Sequence, residues 1–289
     1  MSRWVGDRSL IACLRLAAAT TGSVVLLIFV FLVFESWSAL EALGLRFVTD
    51  SSWHPASDPS EGTFNLTPML VGTLAATAGS MLLATPLALA SAVFCNFYAA
   101  PRPAQLYRRM IELLAGIPSV VYGFWGLVVL VPLIRQIEPP GASLLAGILV
   151  LTIMILPTIA LTADSAFGAV PESYLQASAA LGLSRTTTLA AVVVPAARSG
   201  LFTGAMLGTG RALGETMAVL MVCGNVVQAP ASLFDPIRTL TANIALEMAY
   251  ALGDHRSALF VTGLALMCIV AALVLLTETA AERWTVEGP

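Results

Sequence analysis

The sequence predicts an all-α integral membrane protein with six transmembrane helices. Three observations carry this. The 289 residues are 58% hydrophobic, with a mean hydropathy of +0.88. Charged residues make up 11% of the chain, against about 25% in an ordinary soluble domain. The apolar residues are gathered into runs, and a spanning helix needs about 20 such residues in succession.

Six runs meet that length, at 13–34, 67–97, 113–134, 143–167, 195–227 and 258–276. The first follows Arg3, Arg8 and Arg15 and is apolar from Leu16 to Phe34. It is longer than a signal-peptide core, and no strong A-x-A site follows, so it reads as a retained anchor. The second and fifth runs exceed one bilayer thickness, which leaves room for tilt. Pro86 and Pro157 read as kinks in the second and fourth spans. The predicted organisation is an N-terminal segment 1–12, the first helix 13–34, a loop 35–66, a five-helix core 67–277 containing a loop at 168–194, and a tail 278–289.

All 14 basic residues are arginine. With the N-terminus inside, Arg3, Arg8, Arg15, Arg102, Arg108, Arg109, Arg185, Arg198 and Arg283 lie on inside segments, and Arg46, Arg135, Arg238 and Arg256 outside. The positive-inside rule therefore puts both termini in the cytoplasm. The absence of lysine excludes a standard Walker A loop, which ends in G-K-[ST], and Schiff-base catalysis. A net charge of −3 gives no footprint for nucleic acid. Cys13, Cys95, Cys223 and Cys268 have no zinc spacing and read as small apolar residues.

The loop 35–66 carries Trp53-His54-Pro55 and Asp58-Pro59, which are turn signals. The outside segment 228–257 contains a candidate surface helix at 237–252. His54 and His255 read as solvated, without a role. Asp164 reads as hydrated, at the inner end of the fourth span. No Ser-His-Asp set or metal cluster lies in the spans, so an enzyme is not expected.

The inside loop 168–194 begins Pro171-Glu172 and is rich in alanine and leucine up to Gly182, which suits a short helix with a glycine cap. A second short helix is expected from Arg185 towards Val194. The segment reads either as a docking knob or as a plain connector.

The fifth span carries the charges. Arg211 and Glu215 are four apart, and a charge within a span costs about 2.5–3.5 kcal/mol on insertion scales. They fall on one helix stripe with Gly200, Gly204 and Gly208, a repeated small-xxx-small pattern that lets another backbone approach, and Ala218 and Val222 continue it. That face suits a neighbouring helix or a water-lined path. The pair reads either as a structural ion pair or as part of a pathway, in which the planar guanidinium suits an oxyanion. In the third span Pro118, flanked by Gly116 and Gly123, removes a helix donor ahead of Ser119 and Tyr122. This is a kink, or a helix broken where it lines a cavity.

The loop followed by Val192-Val193-Val194-Pro195 resembles the EAA loop of ABC-importer permeases, whose pattern is Glu-Ala-Ala, three residues, Gly, nine residues, Ile-x-Leu-Pro. Nine residues separate Gly182 from Val192, as the pattern requires, whereas Gln176-Ala177-Ser178 replaces Glu-Ala-Ala. Within these importers, Ala115 to Gly126 (Ala-Gly-Ile-Pro-Ser-Val-Val-Tyr-Gly-Phe-Trp-Gly) and Gly210 to Ala218 (Gly-Arg-Ala-Leu-Gly-Glu-Thr-Met-Ala), followed by Val222-Cys-Gly-Asn225, are similar to the phosphate-specific PstC branch. The similarity spans about residues 65–275.

The resemblance implies an ABC-importer permease fold in a bacterial plasma (inner) membrane, and a heterodimeric pore with the sister permease PstA. It also implies an ATPase dimer, PstB, that holds ATP and magnesium, and an extracytoplasmic phosphate-binding protein, PstS. No cofactor is expected on this chain, and lipid is its other partner. Arg211 and Glu215 would belong to the phosphate path. Glu172, Gln176, Ala177, Gly182, Arg185 and Pro195 would belong to the loop that couples to the ATPase. Molybdate or sulfate as the oxyanion, a proton-coupled carrier using Glu215, and a sensing subunit are the competing readings.

Overall fold

The computed structural model describes residues 2–55 and 62–286, and side chains within 10–55 and 62–279; the expected turn at Asp58-Pro59 lies outside the described residues. Helix α1 (Ser2–Leu43) leads to a short α2 (Arg46–Thr49) and a two-stranded hairpin of β1 (Trp53–His54) and β2 (Thr63–Phe64). The strands are antiparallel, with Trp53 opposite Phe64. Then follow α3 (Thr67–Val93), α4 (Pro101–Ala115), α5 (Ser119–Trp125), α6 (Val131–Arg135) and α7 (Leu144–Gly168). After these come α8 (Glu172–Ala180), α9 (Arg185–Thr188), α10 (Val194–Gly214), α11 (Met217–Val222), α12 (Leu240–Glu247) and α13 (Gly253–Val286). Wider π turns at Phe94–Tyr98, Gly126–Leu130 and Leu189–Val193 extend α3, join α5 to α6 and join α9 to α10.

Among the described residues, five stretches are long and apolar enough to cross a membrane: Leu10–Leu43, Thr67–Tyr98, Leu144–Gly168, Arg185–Gly214 and Gly253–Thr279. A sixth crossing comes from a bent pair, Pro101–Ala115 and Ser119–Arg135, whose axes meet at 91°. The third span therefore starts at Ser119, where 113 was expected. Pro118 supplies no N–H to continue the preceding helix and disfavours helical backbone at Ile117. Leu113 and Leu114 end α4. The segment Ser119–Arg135 is roughly 25 Å long at 1.5 Å per residue, near the about 30 Å of a hydrocarbon core.

The fifth span also departs from expectation. It is helical from Val194 to Gly214, breaks at Glu215, whose φ and ψ are −68° and 129°, and resumes at Met217. Both oxygen-bearing groups of Glu215 at the break are bonded within the protein, as irregular backbone at membrane depth requires. The Glu215 carboxylate accepts from the Ala218 N–H at 3.0 Å, and the Glu215 carbonyl accepts from the Thr241 hydroxyl at 2.7 Å. The outermost spans outrun their expected limits, and α1 and α13 pack together through an edge-to-face contact of Phe31 and Phe260.

The largest core lies among α3, α5, α7 and α11, where Met154, Ile155, Ile159, Val219 and Val222 are all 2% exposed or less. A second core sits under the hairpin, around Trp53, Phe64, Met69, Leu240 and Leu259. A third, of Ala92, Ala163, Phe167, Val193 and Ala197, closes the opposite end above α8.

Candidate translocation site

Helices α7 and α10 form a seam. A Cβ added at Gly200 would stand 2.5 Å from the Ala166 Cβ, at Gly204 3.1 Å from the Thr162 Cβ, and at Gly208 2.7 Å from the Ile159 Cδ1. The small face of α10 is thus filled by a neighbouring helix of the same chain, since absent side chains let the two backbones close up. Of the two uses open to this face, the structure assigns it to helix packing.

Arg211 stands on the next turn of the same seam. Its Nη1 donates to the Thr158 hydroxyl at 3.0 Å, and it is half-buried. Thr158 lies close to the midpoint of α7. Glu215, 9% exposed, is not its partner. Among the described residues the ion pairs are Arg46–Asp50, Arg108–Asp164, Arg238–Glu247 and His255–Glu247. The break turns the Glu215 carboxylate towards the start of α11. The shared stripe expected for Arg211 and Glu215 therefore does not form. It assumed an unbroken helix, and Ala218 and Val222 do not continue it.

The broken third span meets this site. Pro118 and Ser119 open α5, and the Tyr122 hydroxyl donates to the Leu114 carbonyl at 2.7 Å across the elbow. That carbonyl also accepts from the Ile117 N–H at 3.2 Å, so the tyrosine adds a second donor at the elbow. Tyr122 lies within electrostatic range of Arg211. Gly123 brings α5 against α11, where an added Cβ would stand 2.7 Å from the Ala218 Cα.

At the opposite end of the seam, α8 begins after Pro171 and stops at Gly182, whose φ is +70°. The Gly182 N–H bonds the Ala179 carbonyl at 3.0 Å and the Leu183 N–H bonds that of Ser178 at 3.1 Å, a left-handed glycine cap. Glu172, Gln176, Ala177, Gly182, Arg185 and Pro195 are all exposed, whereas Ser178 is buried. The helix from Arg185, capped by the Ser184 side chain, runs through a π turn straight into α10.

Two side-chain clusters escaped the sequence. Asp164, expected to be hydrated, accepts from Arg108 Nε at 2.9 Å and from Asn96 Nδ2 at 2.7 Å. At the hairpin end, Glu247 accepts from Trp53 Nε1 at 2.8 Å and from Arg238 Nη1 at 2.6 Å, and pairs with His255 Nε2 at 2.9 Å. His255 is therefore held inside the protein, its side chain 12% exposed. The helix expected on the surface at 237–252 is the buried α12, with Leu240, Thr241, Ala242, Asn243 and Glu247 turned inward. His54 stays exposed and meets the Ser52 hydroxyl. No local signal marks these pairings, because Trp53 and Glu247 are 194 residues apart.

Residues 84–283 match the family described as "Binding-protein-dependent transport system inner membrane component". The chain is 41% identical to the probable ABC transporter permease protein YqgH of Bacillus subtilis, with 83% of this chain and 78% of that protein covered. It is 37% identical to the phosphate transport system permease protein PstC of Mesorhizobium japonicum, covering 81% and 77%. It is 34% identical to PstC of Haemophilus influenzae, covering 90% of each. Among solved structures, an inward-facing MetNI methionine ABC transporter superposes with a TM-score of 0.58 at 19% identity, covering 76% of this chain and 94% of that one. An amino acid ABC transporter gives 0.55 at 15% identity, covering 75% and 94%. At these identities the structures establish the fold.

Proposed function

The chain belongs to the family of binding-protein-dependent transport system inner membrane components, and on that basis we propose that it is the permease subunit of an ATP-driven importer of inorganic phosphate. As a family member it is a multi-pass inner-membrane transporter subunit, working with an ATPase and a substrate-binding protein. In the finer reading the sister permease is PstA, the ATPase a PstB dimer holding ATP and magnesium, and the binding protein PstS. Both termini face the cytoplasm. The relatives named as phosphate permeases support phosphate over molybdate or sulfate.

One observation carries the site. Arg211 stands half-buried near mid-span and its hydrogen bond goes to a neutral hydroxyl. A guanidinium at that depth, with no carboxylate paired to it among the described residues, favours an anion as its ligand, and its fork fits phosphate oxygens. Glu215 acts beside it through the backbone, fixing the break between α10 and α11. A permanently tight anion site would conduct poorly, so a single cation suits transit. Exposed Glu172, Gln176, Ala177, Arg185 and Pro195 present α8 and its flanks to the ATPase, with Gly182 setting the turn between them. The ATPase's closure then shifts access from one side to the other.

The test uses the complete complex with its binding protein in vesicles. Arg211→Gln is expected to lower phosphate uptake at least ten-fold, the cost of about 1.4 kcal/mol, while stimulated ATP hydrolysis is retained. Uptake at the wild-type rate would remove Arg211 from the path. Equal competition by molybdate or sulfate would overturn phosphate as the substrate.

A further inference from the structure

Helix α4 (Pro101–Ala115) has three faces, and two are accounted for by the fold and by water. Ala104 and Ile111 are buried, and Arg108 on the same side is tied to Asp164 at the end of α7 and to Asn96 in the turn that ends α3. The second face is polar and exposed: Arg102, Gln105, Arg109 and Glu112. The third face is apolar yet uncovered. Leu106, Met110, Leu113 and Leu114 are 63%, 56%, 74% and 39% exposed.

Stepping about 100° per residue puts these faces about a third of a turn apart. The charges on the polar face are sorted. Arg102 and Arg109 fall against the apolar band, whereas Gln105 and Glu112 fall towards the protein. The helix lies at 91° to the span that follows it, at the level where α3 and α7 end. A helix in the membrane plane at the edge of a bundle has protein on one side, acyl chains on another and headgroups on the third. The order of residues around α4 matches that surround, with arginines where an apolar band meets the headgroup layer.

We propose that α4 seats its apolar band in the cytoplasmic leaflet and that Arg102 and Arg109 bind the phosphates of anionic phospholipids there. The argument is independent of the transported anion. It uses the orientation that the arginine distribution gives, which places α4 on the anionic leaflet.

The complete transporter, with its partner chains, would carry a fluorophore at Met110→Cys, with Cys13 and Cys268 changed to Ser. It would be placed in phosphatidylcholine vesicles doped with acyl-nitroxide phosphatidylglycerol or, separately, acyl-nitroxide phosphatidylcholine. Quenching by both lipids is expected, and several-fold stronger by phosphatidylglycerol. The double variant R102Q/R109Q should keep the quenching and lose the several-fold preference, each arginine supplying part of the attraction to the anionic headgroups. Leu106→Cys provides a second labelling site on the same band should Met110→Cys fail to assemble. Absence of quenching at both sites would mean that protein covers the band. Equal quenching by the two lipids, or a preference that survives R102Q/R109Q, would likewise overturn the proposal.

Discussion

Glu247 holds three chain segments with one carboxylate: the hairpin through Trp53, the stretch after α11 through Arg238, and α13 through His255. Its side chain is 8% exposed, so the three bonds act largely out of water. Glu247→Ala would leave the indole N–H without its acceptor and Arg238 without its carboxylate, with only the neutral oxygens of Asn225 and Asn243 still bonded to it. The expected loss is about 3 kcal/mol, the usual result of removing one partner of a buried pair. It should appear as a lower thermal midpoint of the purified complex, whereas exposed Glu41→Ala should leave the midpoint unchanged. Indistinguishable melting of the two variants would contradict this. None of these partnerships was legible beforehand. His255 and Asp164 looked like hydrated surface groups because their partners come from distant segments. Arg211 was legible, since a charge within an apolar run stands out whatever the tertiary structure.

The seam between α7 and α10 is the element that the sequence described best. Spacing by four puts Gly200, Gly204 and Gly208 on one side of a helix, and that periodicity needs no partner to be seen. The break at Glu215 was hidden because the apolar pattern runs on through it, and the hydroxyl that stabilises it belongs to Thr241. The elbow before α5 was half legible. Pro118 signalled an interruption, but Leu113 and Leu114 read as span when they belong to an in-plane helix. A direct test of the seam is Gly200→Ala. Its methyl would meet Ala166 at 2.5 Å, a contact that a rigid Cβ cannot yield. Such overpacking costs about 1–3 kcal/mol. Adding Ala166→Gly should recover most of the loss of thermal stability; a double variant no more stable than Gly200→Ala would show that the seam is not the cause.

Across the molecule, composition and run length foretold a six-crossing, all-helical architecture, because hydrocarbon thickness imposes the same length on every span. They could not foretell that one crossing is entered from a helix at 91° to it and that another is interrupted. The Arg211–Thr158 contact near mid-span has a further consequence at this scale, in electrical work. A cell whose interior is negative opposes anion entry by about 2.3 kcal/mol for each charge per 100 mV. A fixed positive charge halfway divides that climb into two shorter ones, the first assisted by attraction to the guanidinium. Without it the anion faces the whole climb in a single step. Uptake by Arg211→Gln vesicles should therefore fall more steeply with imposed voltage than wild-type uptake, and parallel voltage curves would mean that the arginine stands outside the anion's route. In this arrangement the permease shapes the voltage profile of the path, and the distant ATPase supplies the net work.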